Sequence, residues 1–270
     1  MLYARNCCLH KRGLTMPNAS DYRPEQRIFA MFVGRSGSGK STAAATFPKP
    51  YHQLDFDFRF GGIAAAIKQG LILDPEGITY QQFLPRGGWD PVDKHVMQFE
   101  MERISGSFKL KTLELASLGS LARLLTVSSH ALQGGKKLGS LRISGPGDYN
   151  FEASGTHQVF DFLRSWPCNV ICSAHQVDKY GKLDKSAEYS ETGIVGEKLA
   201  VRDNLGENVL TYFDNVFRFS KEVENNQDKF YVEFSTDLAK NTFGIKPGKH
   251  DITRKNFWEE LQRLIKENQK

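Results

Sequence analysis

One stretch constrains this chain more than any other. An apolar run, Ile28-Phe29-Ala30-Met31-Phe32-Val33, passes without a break into Gly34-Arg35-Ser36-Gly37-Ser38-Gly39-Lys40-Ser41. A continuous apolar run with no polar alternation marks a strand covered on both faces, which points to a parallel sheet between helical layers. The glycines that follow permit a tight wrap of backbone with several N–H groups turned inward. Ser41 to Thr46 is Ala-rich and helix-compatible, and Pro48 and Pro50 stop it. Strand, glycine loop and helix N-terminus in that order form a cradle for phosphate. In this reading Gly34, Arg35, Ser36, Gly37, Ser38, Gly39, Lys40, Ser41 and Thr42 hold a nucleotide. Lys40 neutralises its β and γ phosphates and the Ser41 hydroxyl ligates Mg²⁺, so ATP and Mg²⁺ are the expected cofactors.

The rest of the composition sets bounds. A chain of 270 residues, 40% hydrophobic and 25% charged, suits one large α/β domain with small appendages. A net charge of +5 permits a polyanionic partner without requiring one. No apolar run approaches the ~20 residues that span a bilayer, so no membrane role is expected. The N-terminus carries Arg5, Lys11 and Arg12 but no apolar core of a signal peptide. Residues 1–25 read as a flexible leader, with Met16 an alternative start, and the expected compartment is a cytoplasm. Cys7, Cys8, Cys168 and Cys172 lack the spacing of a zinc site and read as free thiols.

Strand and helix signals alternate along the chain. Tyr51–Phe56, Lys111–Ala116 and Asn169–Ala174 read as further strands. Gly61–Gln69, Pro91–Ile104, Leu118–Leu132 and Phe151–Ser165 read as helices. Residues 133–150, rich in glycine, read as one long loop. Val216–Phe219 and Phe230–Phe234 read as a β-hairpin across Asn225-Asn226-Gln227-Asp228. Residues 254–268 form a final amphipathic helix with Phe257, Trp258, Leu261, Leu264 and Ile265 on one side. The expected organisation is a main domain over 26–250 and a C-terminal helix within 251–270, on a mainly parallel α/β sheet.

Five stretches, spread over about residues 27–245, carry a resemblance to a known family. They are the glycine loop with Phe47-Pro48-Lys49-Pro50; Leu54-Asp55-Phe56-Asp57; Lys111 to Leu118; Asn169-Val170-Ile171-Cys172-Ser173-Ala174-His175; and Phe213 to Arg218 with Ala239-Lys240. In order and spacing they resemble the RecA-like P-loop ATPase core, and within it the phage-type branch that anneals single-stranded DNA. The resemblance implies that Asp57 orients the attacking water and that Asp55, one strand period earlier, helps to hold Mg²⁺. It implies that His175 senses the γ-phosphate and that Lys240 reaches into a neighbouring subunit's site. The strand that should end in a metal-holding aspartate has Ala116 instead, followed by Ser117; Glu114, a possible substitute, lies about 6.6 Å back along the strand.

The same resemblance implies a homo-oligomer with ATP at subunit interfaces, and two loops that contact single-stranded DNA. The matching segments hold Lys136, Lys137 and Arg142, with Tyr149 nearby, and Lys179, Tyr180 and Lys182, with Lys185. Lysine and arginine meet phosphates without sequence preference, and tyrosine stacks on bases. Single-strand-binding or other recombination proteins are the further partners implied. Alternatives are a nucleotide-gated binding module with little turnover, which Ala116 suits, and a small-molecule P-loop kinase.

Overall fold

The computed structural model describes residues 27–133, 137–138, 141–142, 144–182, 192–234 and 239–268. The apolar run is β1 (Phe29–Gly34), buried along its whole length, and the glycine loop leads from it into α1 (Lys40–Ala44). β2 (Tyr51–Asp55), α2 (Gly61–Lys68), β3 (Ile78–Gln82), α3 (Asp90–Ser105), β4 (Thr112–Ala116) and α4 (Leu118–Gln133) follow. Two short strands, β5 (Lys137–Leu138) and β6 (Leu141–Arg142), pair with each other before α5 (Pro146–Arg164). Then come β7 (Asn169–Lys182), β8 (Thr192–Leu199), α6 (Asp203–Val209), β9 (Asn215–Glu224), β10 (Gln227–Glu233), β11 (Lys249–Asp251) and α7 (Phe257–Asn268).

The main sheet runs in the order β11-β10-β9-β1-β7-β4-β2-β3, with β8 attached to β7. From β9 to β3 every neighbouring pair is parallel, and β10 and β11 add an antiparallel edge. With its glycine loop on a central strand and helices on both faces, the chain has the mainly parallel α/β sheet that the sequence led us to expect. Among the described residues no helix is long and apolar enough to cross a membrane.

The side chains of β1 alternate between two cores. Phe29, Met31 and Val33 pack with Leu121, Leu125, Phe160, Leu163 and Trp166 of α4, α5 and the segment after it. Ala30 and Phe32 pack on the other face with Ala43, Ala44, Ile63 and Phe257. Phe32 lies at the centre of an aromatic cluster, its ring 4.8 Å from Phe219, 5.7 Å from Phe257 and 5.9 Å from Phe47. Each such ring stabilises the fold by roughly 1.5–3 kcal/mol, so the strand that carries the loop is firmly seated. α7 packs on the same face as α1, burying Phe257, Leu261, Leu264 and Ile265, and the Trp258 N–H donates to Thr46 Oγ1 at 3.0 Å.

Several expectations need correction. Residues 133–150 are not one loop: α4 continues to Gln133 and α5 begins at Pro146. Pro146-Gly147-Asp148 reads as a helix breaker but opens a helix here, because Asp148 Oδ2 accepts the Gly145 N–H at 2.7 Å. The segment after His175 is also no loop. β7 runs on to Lys182 and pairs antiparallel with β8, a ribbon that Val177, Tyr180, Ile194 and Val195 suit as strand formers. The final helix begins at Phe257, three residues later than 254. β3 and β11 carried no clear signal. The C-terminal hairpin is present and longer than expected, turning on Asn225 and Asn226, whose φ values of 49° and 61° asparagine tolerates well. Cys168 and Cys172 are free and buried, while Cys7, Cys8 and the 1–25 leader lie outside the described residues.

Between β2 and α3, His52 Nε2 and His95 Nε2 stand 2.9 Å apart. That contact requires at least one neutral ring. Burial and the facing His95 lower the His52 pKa to about 4, and burial lowers that of His95. A base with a depressed folded pKa is stabilising above its unfolded value, and that stability is lost as pH falls from about 6.5 towards 4. Glu114, raised to about 7, has the opposite slope above 4.5, so the comparison must be differential. His52→Phe should therefore flatten the pH dependence of urea stability between pH 6.5 and 4 relative to the wild type. Parallel profiles for the two proteins would refute this.

Candidate functional site

The C-terminal ends of β1, β2, β4 and β7 meet at one edge of the sheet, and the glycine loop closes over it. Gly34 must be glycine, since a Cβ there would lie 2.3 Å from the Phe219 carbonyl oxygen. Gly37 and Gly39 have φ values of 77° and 89°, which allow the loop to turn its amides inward before α1 begins. Lys40 is buried, and its Nζ donates to the carbonyls of Gly34 at 2.8 Å and Arg35 at 2.9 Å. Ser38 Oγ stands at 3.4 Å. Among the described residues the Lys40 ammonium has no ion-pair partner. Burial lowers its pKa to about 8, Glu114 opposes that shift, Arg59 adds to it and Asp57 opposes it.

A buried cation held only by neutral oxygens beneath a ring of amides fits an anion. The cleft above it has a volume of about 440 Å³, within the ~300–1,000 Å³ of small-molecule sites. Ser36 to Thr42 line its polar end, with Asp55, Asp57, Ala116, Ser117, Ser173 and His175. Ala65, Ala66, Leu71, Phe230, Ile252 and Phe257 line the other end, an apolar compartment suited to a flat base. A triphosphate with a nucleoside attached matches that division.

Of the carboxylates nearby, Asp57 stands at the phosphate end. Its Oδ2 accepts from Ser117 Oγ at 2.9 Å and lies 3.7 Å from His175 Nε2, and Ser120 Oγ donates to its Oδ1. Burial alone would raise its pKa, but the nearby His175 ring and the hydrogen bonds from Ser120 and Ser117 outweigh this and hold it at about 2. It is therefore ionised across the working pH range. Asp57 and His175, expected as water-orienting acid and phosphate sensor, are thus direct neighbours.

Asp55 has a different arrangement from the one expected. β2 ends at Asp55, and its Oδ1 accepts the N–H groups of Asp57 and Arg59, each at 3.1 Å. Its Oδ2 accepts from Gln82 Nε2 at 3.1 Å. Asp55 thus secures the turn that presents Asp57, while both carboxylates and Ser41 line the cleft. Ala116 stands level with Asp55 and Ser173 and offers no ligand. Glu114 is no substitute. It is fully buried beside Tyr51 and Gln53, does not line the cleft, and is raised to about 7, chiefly by burial.

Lys240 lies elsewhere. It pairs through its backbone with Val216, which stands opposite Met31, whereas Phe219 stands opposite Gly34 at the level of the loop. It is exposed and does not line this chain's own cleft. Lys179 and Tyr180 are exposed on the ribbon of β7 and β8, directly continuous with His175, and Arg35 of the glycine loop pairs with Asp178 on the same strand. Lys137, Arg142 and Lys182 lie on described strands. Lys136 and Lys185 lie outside the described residues. Sequence reasoning missed Arg59, Ser120, Arg123 and Gln176, which gather near the phosphate end. No local pattern marks them, because they converge from three separate segments: the turn after β2, α4 and β7.

The strand order and the glycine loop on its central strand define a mainly parallel α/β sheet that carries a phosphate-cradling loop at one edge. No protein-family profile matches the chain, and no curated protein matches it. Among solved structures it is similar to a KaiC-like protein, PH0186, from the hyperthermophilic archaeon Pyrococcus horikoshii OT3. The two share 14% identity over 83% of this chain and 84% of that one, with a TM-score of 0.42.

Proposed function

We propose that this chain binds ATP with Mg²⁺ at the glycine loop, hydrolyses it, and uses nucleotide occupancy to set a ribbon that binds single-stranded nucleic acid. The observation that carries the first part is the buried Lys40 ammonium, which has only neutral oxygens around it. ATP supplies the missing anion. Ser41 and Asp57 would hold Mg²⁺, which when bound would help to neutralise the β and γ phosphates. Asp57 orients a water for in-line attack. The new O–P bond forms as the bond to the β,γ-bridging oxygen breaks, and ADP leaves with that electron pair. Ala116 removes the usual metal-holding carboxylate, so slow turnover by a nucleotide-gated binder is the variant of this reading that the site favours.

The ribbon gives the second part its support. β7 begins inside the sheet, passes His175 at the phosphate end, and continues to exposed Lys179 and Tyr180. A single strand thus joins the site to a basic, aromatic surface. Annealing or recombination by a homo-oligomer, with Lys240 acting on a neighbour, is the biological setting this reading implies. The test is fluorescence binding of ATP, ADP and a single-stranded oligonucleotide by the wild-type chain, with hydrolysis followed in parallel. Tyr180→Ala should weaken the oligonucleotide by ~1–3 kcal/mol per lost stack, roughly 5- to 150-fold. Lys179→Ala should reduce the salt slope by about 0.7. A wild type that binds no nucleotide at millimolar concentration overturns the first part. Oligonucleotide binding indifferent to both substitutions overturns the second.

A further inference from the structure

Beyond the γ-phosphate end of the cleft lies a second, more open one of about 610 Å³, which shares Ser36, Asp57, Arg59, Ser117 and His175 with the first. Its outer wall consists of Gly119, Ser120 and Arg123 of α4, with Gln176 of β7. Apart from Ser120, which donates to Asp57, the nucleotide reading does not use this wall.

Its chemistry is one-sided. Neither the Arg59 nor the Arg123 guanidinium has a hydrogen bond or ion pair with any described residue. Gln176 is 5% exposed, yet its Nε2 has no hydrogen-bond partner. A buried amide donor without an acceptor is costly, and such groups ordinarily have a partner. Two guanidinium groups on exposed residues, without a partner among the described residues, and one buried N–H donor without an acceptor therefore line a single cleft. Asp57, the carboxylate on its rim, is already engaged by Ser117, Ser120 and His175. Arg59 also borders the first cleft and is close enough to Lys40 to oppose its charge, so it stands between the two.

We infer that this second cleft is a phosphate site, in which Arg59, Arg123 and Gln176 receive the inorganic phosphate cleaved from ATP while ADP still occupies the glycine loop. The inference rests on the ATP reading and deepens it. Guanidinium forks match a tetrahedral oxyanion, and the amide adds a third donor. Asp57 and Arg59 line both clefts, so Arg123 and Gln176 are the donors that distinguish the second one.

The test is calorimetric titration of inorganic phosphate into the full chain saturated with ADP and Mg²⁺. Arg123 lies outside the nucleotide cleft and is exposed on α4, so Arg123→Gln leaves the fold and the glycine loop intact. Wild type is expected to bind phosphate, and Arg123→Gln to bind it at least roughly tenfold more weakly with ADP affinity within twofold. Arg123→Lys should recover part of the loss. Phosphate binding that Arg123→Gln leaves unchanged would put the anion in the glycine loop and overturn the inference. So would an oligonucleotide that depends on Arg123 while phosphate does not bind, since the source would then be a phosphodiester. Failure of the ATP reading is distinguishable: the wild type would bind no ADP, and titrating phosphate without nucleotide would still test the cleft.

Discussion

Lys40→Ala is expected to weaken ATP binding by at least ~10- to 100-fold and to bring hydrolysis to background. Among the described residues the ammonium is the only buried Lys or Arg group, and each charge-assisted contact is worth ~1.5–3 kcal/mol. The accompanying stability change separates a ligand-binding lysine from a structural one. In the free protein Lys40 is buried without an anion, so its loss should cost the apo fold little. The thermal shift that ATP produces in the wild type should vanish in the variant, because that shift is binding energy. The wild type carries a pH signature of the same contact. Lys40 titrates at about 8 in the free chain, and bound phosphate favours its charged form. ATP binding should therefore take up a proton near pH 8, and affinity should fall as pH rises above it. Equal affinities for wild type and variant would sink the phosphate assignment.

Asp57→Asn is the second large effect, and it should fall on turnover rather than binding. The substitution keeps the size of the side chain and removes the charge that orients water. A loss of ~10²- to 10⁴-fold in kcat is expected, with the dissociation constant for ATP within threefold. The hydrogen bonds from Ser117 and Ser120 hold the side chain in place, so the variant should remain folded. A variant that hydrolyses ATP at the wild-type rate would assign the water to another group. Loss of ATP binding with the fold intact would instead make Asp57 chiefly a metal ligand.

Much of this arrangement is legible in the sequence, and the parts that are not share a physical cause. The loop from Gly34 to Ser41 is readable because its ligand contacts come from consecutive backbone amides, so its geometry is local. Asp57 and His175 are readable through motif order, since strand ends in a parallel sheet converge at one edge. Pro146-Gly147-Asp148 misleads because the same residues that break one helix cap the next. The ribbon after His175 misleads because Asp178, Lys179 and Lys182 look like a solvated loop, while its alternation of strand formers emerges only once β8 is paired with it. Asp55 and Asp57 look alike in sequence. What separates them is that β2 ends at Asp55, whose carboxylate turns to two loop amides. Arg59, Arg123 and Gln176 carry no sequence signal, because their significance lies in having no partner.

The unbroken course of β7 has a mechanical consequence. From His175 to Lys182 the strand rises ~23 Å at ~3.3 Å per residue, and from Gln176 onward it is stiffened by its pairing with β8, with one register shift between Lys179 and Tyr180. A stiff ribbon rooted in a sheet at one end acts as a lever. A tilt of about 5° at His175 would carry the tip by about 2 Å, given that length. The ion pair between Arg35 and Asp178 lies near the pivot, so a change in the shape of the glycine loop is applied where leverage is greatest.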